Sequence, residues 1–215
     1  ATGDHVAMSF YTDRILPPII DRVLSTGHVK KHRSHVIPGA VGTVVELGFG
    51  TGTNLEFYDV DAVDEVLAID PASGARNRAA ARISNWPKPV RWVALDGEHL
   101  PMEDASVDTV VAAFTLCTIP DVASALAEAR RVLKPNGQLR YLEHGLHDDS
   151  RVAARQRLIE PVWKVFSGGC HLTRDPDELV REAGFELIES TRHTMPGPPI
   201  TNALYEGVAV PAGHS

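Results

Sequence analysis

From residue 43 onward, apolar and polar positions alternate between two rhythms. Thr43–Leu47, Val66–Ile69, Val90–Ala94 and Val107–Phe114 are short apolar runs, which predict strands. The last is almost wholly apolar, as expected of a strand covered on both faces. Between and after them the spacing turns helical. Asn54–Tyr58 reads as a short helix and Ala72–Ser84, rich in Ala and Arg, as a longer one. Val122–Leu133 reads as a strong helix, with Asp121 as N-cap and Lys134-Pro135-Asn136-Gly137 as its stop. Gln138–Glu143 is the fifth expected strand. Val152–Phe166 is a helix interrupted at Pro161, and Pro176–Ala183 a helix stopped by Gly184. Phe185–Thr191 and Leu204–Val210 follow one another with no helix between. They are expected to pair antiparallel around Met195–Pro199. Alternating strands and helices predict a doubly wound α/β sheet, mostly parallel.

Before residue 43 the pattern is weaker. Ala1–Phe10 is polar. Tyr11–Ser25 has helical spacing (Ile15, Leu16, Ile19, Ile20, Val23, Leu24) broken by Pro17 and Pro18, and Gly27 ends it. The basic stretch His28, Lys30, Lys31, His32, Arg33, His35 reads as a solvated surface. The functional alternative is a clamp on an anionic group near a ligand. No repeat or linker divides the chain. One domain is expected, with residues 1–40 as a helical cap, 41–145 as the ligand-binding core and 146–215 as the opposite side of the site.

The first strand runs into Gly48-Phe49-Gly50-Thr51-Gly52. Glycine is needed where φ is positive or where a ligand lies against the main chain, and this loop sits where open α/β sheets bind ligands. The spacing is G-x-G-x-G, not the G-x-G-x-x-G of dinucleotide sites. Glu46, two residues before the first glycine, would be unwelcome beside a pyrophosphate and tolerated beside a zwitterionic amino-acid group. Asp70 ends the second strand, where an acid accepts hydrogen bonds from ribose hydroxyls. After the third strand, Asp96 is placed to accept from an exocyclic amine, and Gly97 would let a flat ring lie against the chain.

Composition narrows the partners. At 215 residues, 43 % hydrophobic and 23 % charged, the chain suits one globular domain. A net charge of -7 disfavours a nucleic-acid substrate. The two cysteines, Cys117 and Cys170, form no CxxC pair and supply no zinc ligand set, so no metal is expected. Cys117 reads as a small buried hydrophobe, and Cys170, in a Gly-Gly-Cys-His loop, as the more exposed. No apolar run approaches the ~20 residues of a membrane span, and the first residues lack a signal-peptide core. A cytoplasmic location is the resulting expectation.

Taken in order, Val44–Gly52, Ala68-Ile69-Asp70-Pro71, Asp96–Pro101, Ser106–Val111 and Arg131–Leu139 resemble the class I S-adenosylmethionine-dependent methyltransferases over roughly residues 40–145. Phe49 departs from that pattern, where a small residue is usual, and is expected to narrow the loop. The resemblance implies a sheet of order 3-2-1-4-5-7-6 with the last strand antiparallel. It also implies S-adenosyl-L-methionine as cofactor and S-adenosyl-L-homocysteine as product. Gly48, Gly50 and Gly52 would pass its methionine part, Asp70 would hold the ribose, and Asp96 with Gly97 the adenine. Tyr11, Glu46, Asn54, Pro71, Glu98 and Thr115 complete the candidate contacts. A narrower resemblance, to the methyltransferase-like thiol S-methyltransferases, rests on Asn54–Tyr58, Phe114–Ile119, Leu142-Glu143-His144, Gly169–Arg174 and, more loosely, Thr191–Val208. It implies a small-molecule acceptor, a thiol or sulfide.

Methyl transfer to a thiol is an in-line displacement, in which alignment and a dry pocket do most of the work. A free thiol has a pKa near 8.5, so a strong base is not required. His144, at the end of the fifth strand, is the first candidate to accept the proton or to stabilise the thiolate, and His171 the second. Trp163, Phe166, Met195 and Ile200 are expected to line the acceptor pocket, with residues 167–174 as its lid and Arg174 in a structural role. A lipid or small amine, or a quinone-like carbon or oxygen, is the alternative acceptor. The non-enzyme alternative is a cofactor-binding regulatory module.

Overall fold

The structure is a computed structural model that describes residues 26–213. The segment Tyr11–Ser25, and with it the expected Tyr11 contact, lies outside the described residues. Seven strands form one sheet: β1 (Gly42–Leu47), β2 (Val63–Ile69), β3 (Val90–Ala94), β4 (Val107–Ala113), β5 (Leu133–His144), β6 (Phe185–Thr194) and β7 (Ala203–Pro211). Their order is β3-β2-β1-β4-β5-β7-β6, as the family resemblance implies. Neighbours among β1 to β5 pair parallel, and β7 runs antiparallel to both β5 and β6.

Among the described residues five helices cover the sheet: α1 (Gly27–Val36), α2 (Ser73–Asn85), α3 (Val122–Val132), α4 (Ser150–Phe166) and α5 (Pro176–Glu182). Successive strand residues point to opposite faces, so one strand feeds two cores. Val44 and Val66 pack with Val36 and Ile37 beside α1 and with Ala79 of α2. Val45 and Leu67 belong to the opposite cluster, with Leu126 and Ala129 of α3 and Val180 of α5. Asp121 caps α3 as expected, its Oδ1 accepting from Ser124 N at 3.1 Å.

Three local expectations change. The basic stretch 28–35 forms helix α1, on which His28, Lys30, Lys31 and His35 are solvated as expected, but Arg33 is buried along one side with Val29 and Val36. Lys134–Gly137 does not separate helix from strand. It forms an irregularity within β5, between the pairs Val107–Leu133 and Thr109–Gln138. Helix α4 runs through Pro161, which lies on its exposed side. The ring removes one backbone bond there, and flanking bonds carry the helix past it. Among the described residues no helix is long and apolar enough to cross a membrane.

β1 is flanked by β2 and β4, the point where the strand order reverses. Ligands of open α/β sheets bind in the crevice outside the carboxyl ends of strands at such a point.

Candidate functional site

A cleft of about 650 Å³ opens at that switch point, within the ~300–1,000 Å³ range of small-molecule sites. Gly48, Gly50 and Gly52 have φ of 69°, 56° and 74°, left-handed values that favour glycine. Gly48 N donates to Ile69 O at 2.9 Å, and a Cβ on Gly48 would fall inside the Thr115 side chain. Gly48 and Gly50 line the cleft, whereas Gly52 sits behind it, beneath the Phe49 ring. Phe49 does not simply narrow the loop. Its ring is buried and packs edge-on against Trp92, 5.1 Å between centroids.

Asp70 faces the cleft at 8 % exposure. Its Oδ2 accepts from Gly50 N at 2.7 Å and its Oδ1 from Ala72 N at 2.8 Å. The acid therefore shapes the glycine loop as well as facing the ligand space. Burial pushes its carboxyl up from the usual range, against the pull of those two amides. Pro71, Asp96, Gly97 and Glu98 line the same end. Asp96 is exposed, with Oδ1 3.2 Å from His99 N, and Glu98 Oε1 accepts from Asp121 N at 3.0 Å. Gly97 lines the cleft with its backbone, and a Cβ there would press on Leu47 and Ala125 of the core.

Beside the glycine loop runs a buried polar chain. Tyr58 OH donates to Glu46 Oε2 at 2.6 Å, Asn54 Nδ2 donates to Glu46 Oε1 at 2.9 Å, and Arg33 Nη1 donates to Asn54 Oδ1. Glu46, Asn54 and Arg33 all line the cleft. Burial lifts the Glu46 carboxyl to about 7, despite the Tyr58 and Asn54 bonds. Arg33, at 3 % exposure, has its guanidinium 5.4 Å from the centre of the Phe114 ring. Arg33 is thus the member of the basic stretch that reaches the cleft, held by Asn54 beside Glu46. The cue in the sequence was its place on the Val29–Val36 stripe, where a charge is rarely left without work.

The opposite wall is the loop after β4. Phe114 has φ of 58°, a strained value for a non-glycine residue, costing about 1–3 kcal/mol. Bonds on both sides hold it there. Phe114 N donates to Leu142 O at 2.8 Å, and Thr115 N and Leu116 N donate to Glu143 Oε1 at 2.7 and 2.8 Å. Glu143 is fully buried, and burial lifts its carboxyl to about 7. The sequence motif Leu142-Glu143-His144 does not by itself point to this role. An acid inside a strand whose neighbours Tyr141 and Leu142 are core residues was the available signal. Arg174 ties down the same loop, donating to the carbonyls of Leu116, Ile119 and Pro120.

Neither candidate catalytic histidine lies on the cleft wall. His171 Nδ1 meets Glu160 Oε1 at 3.0 Å, and Glu160 Oε2 accepts from Thr173 N at 2.9 Å, an arrangement that holds the 171–173 turn. His144 Nε2 lies 2.7 Å from Cys170 Sγ, just behind the wall formed by Gly169. Cys170 is buried rather than exposed. Cys117, Cys170 and His144 each bring one donor atom to within 4.8 Å of the others, a cluster that two widely spaced cysteines did not predict. Cys117 and then His144 hold the Cys170 thiol below its usual range, against burial, while Cys117 itself is pushed up. His144 is raised by Cys170 and Glu143, although burial works against its charge.

The expected acceptor lining also shifts. Val165, Ser167, Gly168 and Gly169 reach the cleft, while Trp163, Phe166, Met195 and Ile200 do not. Phe166 is 64 % exposed among the described residues, and Met195 packs on the core beside α1 and α2.

Known proteins resemble this arrangement. A family model described as a methyltransferase domain matches residues 45–141. Thiol S-methyltransferase TMT1B of rat is 33 % identical over 154 residues, 68 % of this chain and 61 % of that protein. The human protein of the same name is 34 % identical over 169 residues, 74 % of this chain and 67 % of that protein. The chain thus spans about two thirds or less of these relatives' length. A demethylmenaquinone methyltransferase of Renibacterium salmoninarum is 34 % identical over 143 residues, 63 % of this chain and 57 % of that protein. Among solved structures, an S-adenosylmethionine-dependent methyltransferase of Mesorhizobium loti aligns with a TM-score of 0.65 at 15 % identity, covering 86 % of this chain and 98 % of that one.

Proposed function

The chain belongs to the S-adenosylmethionine-dependent methyltransferases, and from that premise we propose that it methylates a small thiol or sulfide. The cofactor, when bound, supplies a methyl group made electrophilic by its sulfonium. The residues present fit it. The cleft combines a glycine cradle that a Cβ would fill, a buried acid at the end of β2 and a buried guanidinium beside Glu46.

The observation that carries the thiol reading is the character of the cleft's other end. Among the described residues, Phe114, Thr118, Ile119, Pro120, Val165, Ser167, Gly168 and Gly169 line it without an ionisable side chain of their own, and the Arg33 guanidinium lies 5.4 Å from the centre of the Phe114 ring. A thiolate reacting with a sulfonium annihilates charge, which a dry apolar wall favours. An amine would arrive protonated, near pKa 10, and the described residues of this end offer no carboxylate or imidazole to receive its proton. The similarity to the thiol S-methyltransferases points the same way. A second reading, methylation of a quinone-like carbon, draws on the similarity to the demethylmenaquinone enzyme, and an apolar wall suits it as well.

In the thiol reading no side chain of the wall takes the proton. His144 is already engaged with Cys170 and acts by holding the 167–170 loop in place as a positioning residue. Turnover with an alkyl thiol is then expected to rise about tenfold per pH unit until the acceptor's own pKa, near 8.5, and level off above it. The profile should move when a more acidic thiol is used. His144→Ala should lower the plateau without moving the midpoint. A midpoint that ignores the thiol and shifts in His144→Ala would assign the proton to His144 instead.

A further inference from the structure

Away from the cleft, three imidazoles surround one carboxylate. His32 and His35 stand one turn apart on α1, His193 comes from β6 and Glu206 from β7. Glu206 Oε1 meets both His32 Nδ1 and His193 Nε2, the second at 3.3 Å, while Oε2 is 3.9 Å from His35 Nδ1. One donor atom each from His32, His193 and Glu206 lies within 4.8 Å of the other two.

Hydrogen bonding accounts for His32 and Glu206 but not for His193. A hydrogen bond needs an N–H aimed at the oxygen, yet His193 Nε2 is buried and makes no hydrogen bond despite its 3.3 Å approach. The His32 and His193 rings are 4.6 Å apart and tilted by 53°, so stacking does not explain their convergence either. Donors from three separate elements converging on one point are what a cation requires. Imidazole nitrogen with one carboxylate oxygen is a donor set suited to zinc and its neighbours, harder than thiolate and softer than all-oxygen.

We propose that His32, His193 and Glu206 form a binding site for one divalent ion of the zinc class. The His32 and Glu206 side chains are each 12 % exposed and His193 32 %, so water can complete the coordination and the ion can exchange. His35, half-exposed, flanks the solvent side. The site joins α1 to the β6–β7 hairpin. Arg33, the next residue after His32, projects from the same helix into the cleft. An ion here braces the helix that carries the buried guanidinium.

The test is calorimetric titration of Zn²⁺ into chelator-stripped protein freed of any purification tag. One saturable site per chain is expected, with a rise in thermal midpoint on loading. His193→Gln and Glu206→Gln should each weaken binding by at least about 100-fold, beyond the 10–100-fold carried by partners outside the coordination shell. Cys117→Ser/Cys170→Ser should leave it intact, which separates this site from the cysteine cluster. If a histidine variant fails to fold, Co²⁺ in the unaltered protein answers instead. Visible bands without thiolate charge transfer support nitrogen and oxygen ligation, and thiolate charge transfer assigns the ion to the cysteines. Absence of saturable binding, or binding indifferent to both His193→Gln and Glu206→Gln, overturns the proposal.

Discussion

Asp70→Ala is expected to weaken S-adenosylmethionine binding by about two orders of magnitude, the equivalent of ~3 kcal/mol. Two losses combine. Hydrogen bonds to a charged acceptor contribute about 1.5–3 kcal/mol, and this acid is, among the described residues, the carboxylate at the end of β2 that faces the cleft. The same carboxylate holds Gly50 N and Ala72 N, so its removal also loosens the glycine loop. Asp70→Asn keeps one carbonyl oxygen and should fall between the two. Calorimetry on the free protein reads the effect without reference to any acceptor. Unchanged affinity in the alanine variant would remove Asp70 from the ligand site.

Gly48→Ala should be more damaging still, with cofactor binding lost under conditions that saturate the unaltered protein. At φ 69° a side chain is strained by roughly 1–2 kcal/mol. The larger difficulty is space. The added Cβ would coincide with the Thr115 side chain, which is buried and whose amide is fixed to Glu143. Either Thr115 moves and drags the strained Phe114 wall with it, or the first glycine leaves its bond to Ile69. Both change the cleft floor. Thr115→Gly in the same chain should restore part of the binding, because it vacates the contested space. A double-mutant cycle measures that coupling. Independent, additive effects of the two substitutions would show that the steric argument misidentifies the neighbour.

The sheet was legible because its signals are local. The apolar runs of β1, β2 and β4, the Asp121 cap and the glycine loop each declare themselves within a few residues. α1 was not, because its buried stripe includes Arg33 and the rest of the helix is strongly basic. A solvated segment and a helix clasping a ligand look alike until a neighbouring wall is supplied. The Cys117–His144–Cys170 cluster and the three imidazoles around Glu206 were illegible for a related reason. Their members lie on separate elements, and only packing brings them together. The orientation of α4 was missed because Pro161 and apolar residues on more than one side blur its periodicity. Val165 consequently reaches the cleft while Trp163 and Phe166 do not. Residues that bind through backbone geometry announce themselves in sequence, whereas residues that bind through convergence do not.

The acceptor is the central claim, and it is tested most directly by S-adenosylhomocysteine formation with the purified protein. Sulfide, an alkyl thiol, a phospholipid amine and a demethylated quinol would be offered in parallel, with the methylated products identified by mass. Turnover confined to sulfide and the thiol, giving the S-methyl product, is the predicted result. Turnover with the amine or the quinol, and none with either sulfur nucleophile, would contradict it.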